Sequence, residues 1–344
     1  MTAPEPRANP LLLGQEPAEA LLLEALRSGR MHHAWLITGP EGVGKATLAF
    51  RFARRLLAGM PGDEVENLAI PAGDPVFRRV AAQSHADLLT VELAYDIKRK
   101  RMKTQIAVED VRGIAKFMSL TPAEGGWRVV IVDGAEELNP SSANALLKVL
   151  EEPPPRAILL LVCGAPGRLL PTIRSRCRRL QLSAVDDNAM GRLMGVYLPE
   201  MPQDERDRLV TLSEGSPGRA LLLAEAQGLA LATLVDEVLA ASPNLKQSRA
   251  YELADTISRG EGAFTTFMDL LRASVTAAVR DSVRGRADSD QMRLVATRPL
   301  DAWGEVWDAL TRLQNETERF NLDKRQAIVA GLGLLGQTNR AVSQ

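Results

Sequence analysis

The segment Gly39-Pro40-Glu41-Gly42-Val43-Gly44-Lys45 fits the spacing G-x-x-x-x-G-K. Glycines at these places let main-chain N–H groups curl around phosphate oxygens, and Lys45 is placed to reach the terminal phosphates. In a working loop the next residue is Ser or Thr, whose hydroxyl holds Mg²⁺. Here it is Ala46, and Thr47 comes one residue late. One residue on a helix is a rotation of about 100°, so the Thr47 hydroxyl is a poor substitute as a metal ligand. The other reading of this segment, a glycine-rich turn that binds nothing, stays open on these residues alone. A second candidate carboxylate is Asp133, at the end of the apolar run VVIVD. In hydrolysing relatives of such loops a glutamate follows that aspartate and orients the attacking water. Here Gly134 follows, and Glu136 and Glu137 are expected further along the turn, in solvent.

These residues need a frame. The run AWLITG (34–39) reads as a buried strand entering the loop, and TLAFRFARRLLAG (47–59) as an amphipathic helix leaving it. Further strands are predicted over 87–92, 129–133 and 157–163. Helices are predicted over 17–29, 106–118 and 141–152, the last capped by serine and stopped by Pro153-Pro154-Pro155. Residues 1–10 read as a loose polar arm and 60–77 as a loop. Apolar strands alternating with helices indicate a parallel sheet covered on both faces. Beyond about residue 180 the strand signals stop and helix follows helix, broken at GSPG (215–218) and around 281–292. Trp303, Val306, Trp307, Leu310 and Leu313 follow the spacing of a buried helix face.

Composition limits the classes. The net charge is −1, so a chain that holds nucleic acid alone through a basic surplus is not indicated. Two cysteines, Cys163 and Cys177, exclude a disulfide scaffold and a four-cysteine zinc site. His32 and His33 have no evident third ligand. The N-terminus lacks an apolar signal core, and the longest apolar runs are too short to cross a bilayer. A soluble cytoplasmic chain is the expectation. The cluster Lys98, Arg99, Lys100, Arg101, Lys103 is either a solvated basic loop or a contact to DNA phosphates.

The segments HHAWLITGPEGVGKATLA, VVIVDGAEELNPSSANALLKVLEEPPP and LLPTIRSRC together resemble bacterial clamp-loader subunits of the AAA+ kind, most of all the delta-prime family of DNA polymerase III. The specific motifs cover about residues 9–220, and NLDKRQA (321–327) continues the likeness weakly. The resemblance implies a P-loop AAA+ α/β domain over 1–182, a small helical lid over 183–228 and an all-α collar over 229–344. It implies that Arg176, in Ser175-Arg176-Cys177, is an arginine finger acting on ATP in a neighbouring subunit. On residue type alone, a surface arginine paired with a carboxylate is the favoured reading; only the motif favours the finger. Implied partners are gamma/tau and delta subunits in a pentameric ring, with the sliding clamp and primed DNA reached through the assembled complex, and no membrane.

Four positions depart from the hydrolysing members: Ala46, Gly134, Cys163-Gly164 in place of a polar sensor, and Gly218 in place of the arginine of G-S-x-R, with Arg219 one step late. The family's four-cysteine zinc module has no counterpart in 60–85. The expectation is therefore a ring member without ATPase activity of its own, within a DNA polymerase III holoenzyme. Gly39, Gly42, Gly44, Lys45, Thr47 and Asp133 would form a degenerate nucleotide site, able to hold ATP or ADP without turnover. A hydrolysing gamma/tau-type motor and a nucleotide-sensing AAA+ adaptor outside replication are the alternatives.

Overall fold

The computed structural model describes residues 4–59, 67–96, 101–124 and 126–336. The chain divides into two compact units. One comprises residues 1–202 and 213–219, the other 203–212 and 220–344.

The first unit is built on five parallel strands. In chain order its elements begin with α1 (Glu16–Arg27), β1 (Ala34–Thr38), α2 (Lys45–Leu57), α3 (Pro75–Ala81) and β2 (Leu88–Val91). A two-stranded hairpin follows, β3 (Tyr95–Asp96) with β4 (Arg101–Met102), then α4 (Val108–Ser119) and β5 (Arg128–Asp133). Next come α5 (Pro140–Glu151), β6 (Ala157–Cys163), α6 (Pro171–Arg176), β7 (Arg178–Gln181) and α7 (Asp187–Tyr197). The sheet order is β2-β5-β6-β1-β7, with every pairing parallel.

The strand residues alternate between two cores. Trp35, Ile37, Val129, Ile131, Leu160 and Val162 pack on the face covered by α1 and α2. Leu36, Val130, Val132, Leu159, Leu161 and Cys163 pack on the face covered by α4 and α5. The side-chain period of a strand is two, so a strand covered on both faces must be apolar throughout. That is why β1, β5 and β6 are legible as unbroken apolar runs.

Several expectations change. β7 (RRLQ) is a strand, although its sequence carries no apolar run; it is an edge strand that buries only Leu180. Of the expected loop 60–77, residues 60–66 lie outside the described residues and 75–77 instead open α3, which is capped by Asp74 with Pro75 in the first turn. The cap of α5 is Asn139, whose side chain accepts from Ser142 N at 2.9 Å; Pro140 occupies the first turn and Ser141 lies inside the helix.

Residues 4–10 of the N-terminal arm are anchored, not loose. Arg54 is 1% exposed and donates to the carbonyls of Arg7 and Asn9, both at 2.8 Å, while its guanidinium covers the Phe77 ring. Arg7 pairs with Glu92 at 2.9 Å, and the Asn9 amide donates to the Tyr197 hydroxyl at 2.9 Å. The arm is held through polar groups and main-chain oxygens, which leave no hydrophobic trace in the sequence.

The second unit is helical: α8 (Gln203–Ser213) and α9 (Pro217–Glu225), which both cross the division between units, then α10 (Gly228–Ala241), α11 (Gln247–Ser258), α12 (Ala263–Val283), α13 (Ser289–Val295), α14 (Ala302–Phe320) and α15 (Lys324–Gly336). Phe264, Phe267, Met268 and Leu271 of α12 fill its centre, and α12 packs on α10, α13 and α14. On α14, Trp303, Val306 and Leu310 are buried as their spacing requires, but Trp307 is 42% exposed. Its ring lies under the Arg272 guanidinium, and the buried stripe continues instead through Gln314 and Thr317.

Candidate functional site

The C-terminal ends of β1, β6 and β5 lie side by side. Thr38 pairs with Cys163, and Asp133 with Val162. Three loops therefore leave the sheet from one edge: the phosphate loop after Thr38, Gly134 after Asp133, and Gly164 after Cys163. The carboxyl edge of a parallel sheet is where ligands bind in such folds.

The loop is tightly seated. Gly39 backs onto the Leu182 carbonyl; a Cβ there would lie 2.6 Å from its oxygen. Gly42 has φ +73 and touches Ser216 and the backbone of Gly218. Ser216 Oγ donates to the Glu41 carbonyl at 2.8 Å, and Gly218 N donates to the Gly42 carbonyl at 2.9 Å. Any side chain at 42 would meet both left-handed strain and this clamp. The segment 215–218 thus braces the loop. Arg219 bends toward Glu214, at 3.8 Å. Gly44 leads directly into α2, so the helix N-terminus faces the loop.

Lys45 Nζ donates to the carbonyls of Gly39 (2.9 Å) and Pro40 (2.6 Å). Burial pulls its pKa below the usual lysine value, an effect opposed by Glu136, Glu41 and Asp133. Ala46 presents only a methyl group, and Thr47 is buried at 8% exposure. The cradle residues fit a phosphate group; the metal-ligand hydroxyl that accompanies such a cradle has no counterpart at position 46.

Burial, with Glu92 and Glu136 adding like charge, raises the Asp133 pKa. A carboxyl whose folded-state pKa is raised loses stability as pH climbs through its unfolded value. Asp133→Asn is therefore expected to melt above the wild type at neutral pH. The gap should close as pH falls to about 4, where the unfolded carboxyl is also protonated. Thermal unfolding across pH checks this; a wild type that melts higher at pH 7 would refute it.

Gly134 adopts φ +81, a left-handed conformation that glutamate resists. It turns the chain into a short 3-10 helix, Ala135–Glu137. That turn corrects the expectation that both following glutamates lie in solvent. Glu137 pairs with Arg168 at 2.9 Å, its side chain 23% exposed. Glu136 swings back across the end of β6 and accepts from Gly164 N at 2.7 Å. The Cys163 thiol donates to the same carboxylate, and burial together with Glu136 pushes that thiol up to about 12. Sequence reading missed this contact because it depends on where the glycine sends the chain.

Arg176 ends α6, away from the phosphate loop in sequence, with its side chain 37% exposed. It pairs with Glu151 at 2.9 Å and donates to the Thr172 carbonyl at 3.1 Å. His32 accepts from and contacts the Ala34 backbone within 3.2 Å, and its ring stacks on His33. Lys98, Arg99 and Lys100 lie outside the described residues, while Lys103 is exposed beside the hairpin. Among the described residues, no helix is long and apolar enough to cross a membrane.

The parallel five-stranded sheet, the phosphate loop after a central strand and the helical region beyond define a P-loop protein of the AAA+ class. A profile of the family described as "DNA polymerase III, delta subunit" matches residues 14–186, half of the chain, and the chain belongs to that family. The chain is 36% identical over 186 residues to the DNA polymerase III subunit delta' of Pseudomonas aeruginosa, covering 54% of this chain and 53% of that one. It is 33% identical over 202 residues to the Escherichia coli subunit delta', covering 59% of this chain and 57% of that one. It is also 36% identical over 176 residues to the E. coli subunit tau, covering 51% of this chain and 25% of that one. The matches span about half the length of the delta' relatives and a quarter of tau.

Proposed function

We propose that this chain is the delta-prime member of a DNA polymerase III clamp loader, a ring subunit that does not hydrolyse ATP itself and serves the ATP site of a neighbour. Identity alone does not separate delta' from tau, since both relatives reach 36%. The observation that carries the choice is Gly134. It stands where a water-orienting glutamate would follow Asp133, and its φ of +81 suits glycine. Ala46 supports it, because a methyl group cannot hold a metal ion. Phosphoryl transfer depends on positioning and charge stabilisation, and both of these positions lack the side chain for that work.

In this reading Gly39, Gly42, Gly44 and Lys45 hold the phosphates of a resident nucleotide without turnover. Arg176 stands at the surface end of α6, loosely held by Glu151, and reaches the terminal phosphate bound by an adjacent motor subunit. The partners are gamma/tau and delta subunits, and through the assembled ring the sliding clamp and primed DNA.

Purified chain given ATP and Mg²⁺ is expected to release no more phosphate than Lys45→Ala, and to co-assemble with gamma/tau and delta. Steady phosphate release abolished by Lys45→Ala would establish the motor reading instead. Failure to bind either subunit would favour an adaptor outside replication.

A further inference from the structure

We propose that Glu136 is a specificity-determining residue of the phosphate loop, whose carboxylate on the Gly164 N–H makes the loop take a nucleoside diphosphate in preference to the triphosphate. This rests on the reading that the loop holds nucleotide, and it adds which nucleotide and why.

The geometry supplies three reasons. First, the Gly164 N–H is a main-chain donor at the carboxyl end of β6, the strand paired with β1 beside the phosphate loop. A donor in this place suits a terminal phosphate oxygen. Glu136 Oε1 already accepts it at 2.7 Å, and the Cys163 thiol donates to the same carboxylate. Second, Glu136 Oε2 is buried and has no hydrogen-bond partner. No hydrogen bond therefore offsets the charge on that oxygen. Third, the charge balance around Lys45 is unfavourable for added phosphate. The carboxylates that act on the lysine are Glu136, Glu41 and Asp133, with Glu136 the strongest. Arg7, which acts on Asp133, is itself paired with Glu92. Each further phosphate brings negative charge toward Glu136, in a place partly removed from water where such repulsion is strong. In this proposal the third phosphate, and not the second, comes within reach of that charge.

The test is a direct titration of the full chain with ADP and with ATP, in EDTA and again with Mg²⁺, for the wild type, Glu136→Gln and Glu136→Asp. The wild type is expected to bind ADP more tightly than ATP in EDTA. Glu136→Gln removes the charge and keeps the shape, so its ATP affinity should rise about tenfold or more, while ADP affinity changes by less than about threefold. Glu136→Asp draws the carboxylate back from Gly164 and should move the same ratio in the same direction by less. It also carries the test if the glutamine variant does not fold.

An unchanged ATP to ADP ratio in the variants overturns the proposal. So does absence of binding by wild type and variants alike. A wild-type ATP affinity that Mg²⁺ strengthens and Glu136→Gln abolishes also overturns it, since Glu136 would then be a metal ligand. None of these outcomes bears on assembly with partner subunits or on Arg176, so failure here and failure of the clamp-loader reading are separately visible.

Discussion

Arg176→Ala, in a complex rebuilt with gamma/tau and delta, is expected to silence one ATP site and leave assembly intact. An arginine supplied in trans stabilises the charge that develops on the transferring phosphoryl group, and such fingers are worth about 10³-fold or more in turnover. Arg176 would serve a single neighbour, so the loss appears as one site's share. The burst of phosphate on adding the clamp and primed DNA should fall by one site equivalent, with the remaining sites still firing. Arg176→Lys should not rescue, because an ammonium lacks the planar two-donor fork. The pairing with Glu151 costs little to break, since both side chains are substantially exposed, 37% and 50%, and exposed ion pairs contribute about 1 kcal/mol at most. Arg176 is therefore held in place without being locked. A burst of unchanged size in a complex that contains the variant would remove the finger assignment and leave Arg176 as a surface arginine paired with a carboxylate.

The second large effect concerns the arm. Arg54→Ala deletes a buried guanidinium that satisfies two carbonyl oxygens and lies 4.5 Å from the centre of the Phe77 ring. Each buried acceptor left without a donor costs about 1–3 kcal/mol. A total near 3 kcal/mol would lower the melting temperature of a unit this size by about 6–12 °C. The arm can avoid the penalty by detaching, at the loss of the Arg7–Glu92 pair and the Asn9–Tyr197 hydrogen bonds. Limited trypsin digestion distinguishes the two. In the wild type Arg7 is only 8% exposed and should resist cleavage; in the variant it should be cut early. Burial brings the Arg54 pKa down to about 10, so the group remains charged at neutral pH. Arg54→Lys keeps the charge but offers one donor centre for two carbonyls, and should fall between wild type and alanine. A melting temperature within about 2 °C of wild type for Arg54→Ala, with Arg7 still protected, would show that the arm is held elsewhere.

What the sequence alone determined is the part of the molecule governed by local pattern. The buried strands β1, β5 and β6 are written as apolar runs because both of their faces are covered, and the phosphate loop is written as glycine spacing because a backbone that wraps phosphate excludes side chains. Ala46 and Gly134 are equally plain, since the absence of a hydroxyl or a carboxylate is a fact of residue type. The tertiary structure alone decided matters that depend on which segments meet. β7 has no apolar signature because an edge strand buries one residue, and the arm has none because carbonyl oxygens hold it. Trp307 keeps the spacing of a core residue yet stands half outside, because packing on α14 turns toward Gln314 and Thr317. Glu136 is the clearest case. Its position three residues after Asp133 says solvent, and its contact with Gly164 exists only because Gly134 folds the chain back over the end of β6. Residue type settles which groups are available; the path of the backbone settles which of them face one another.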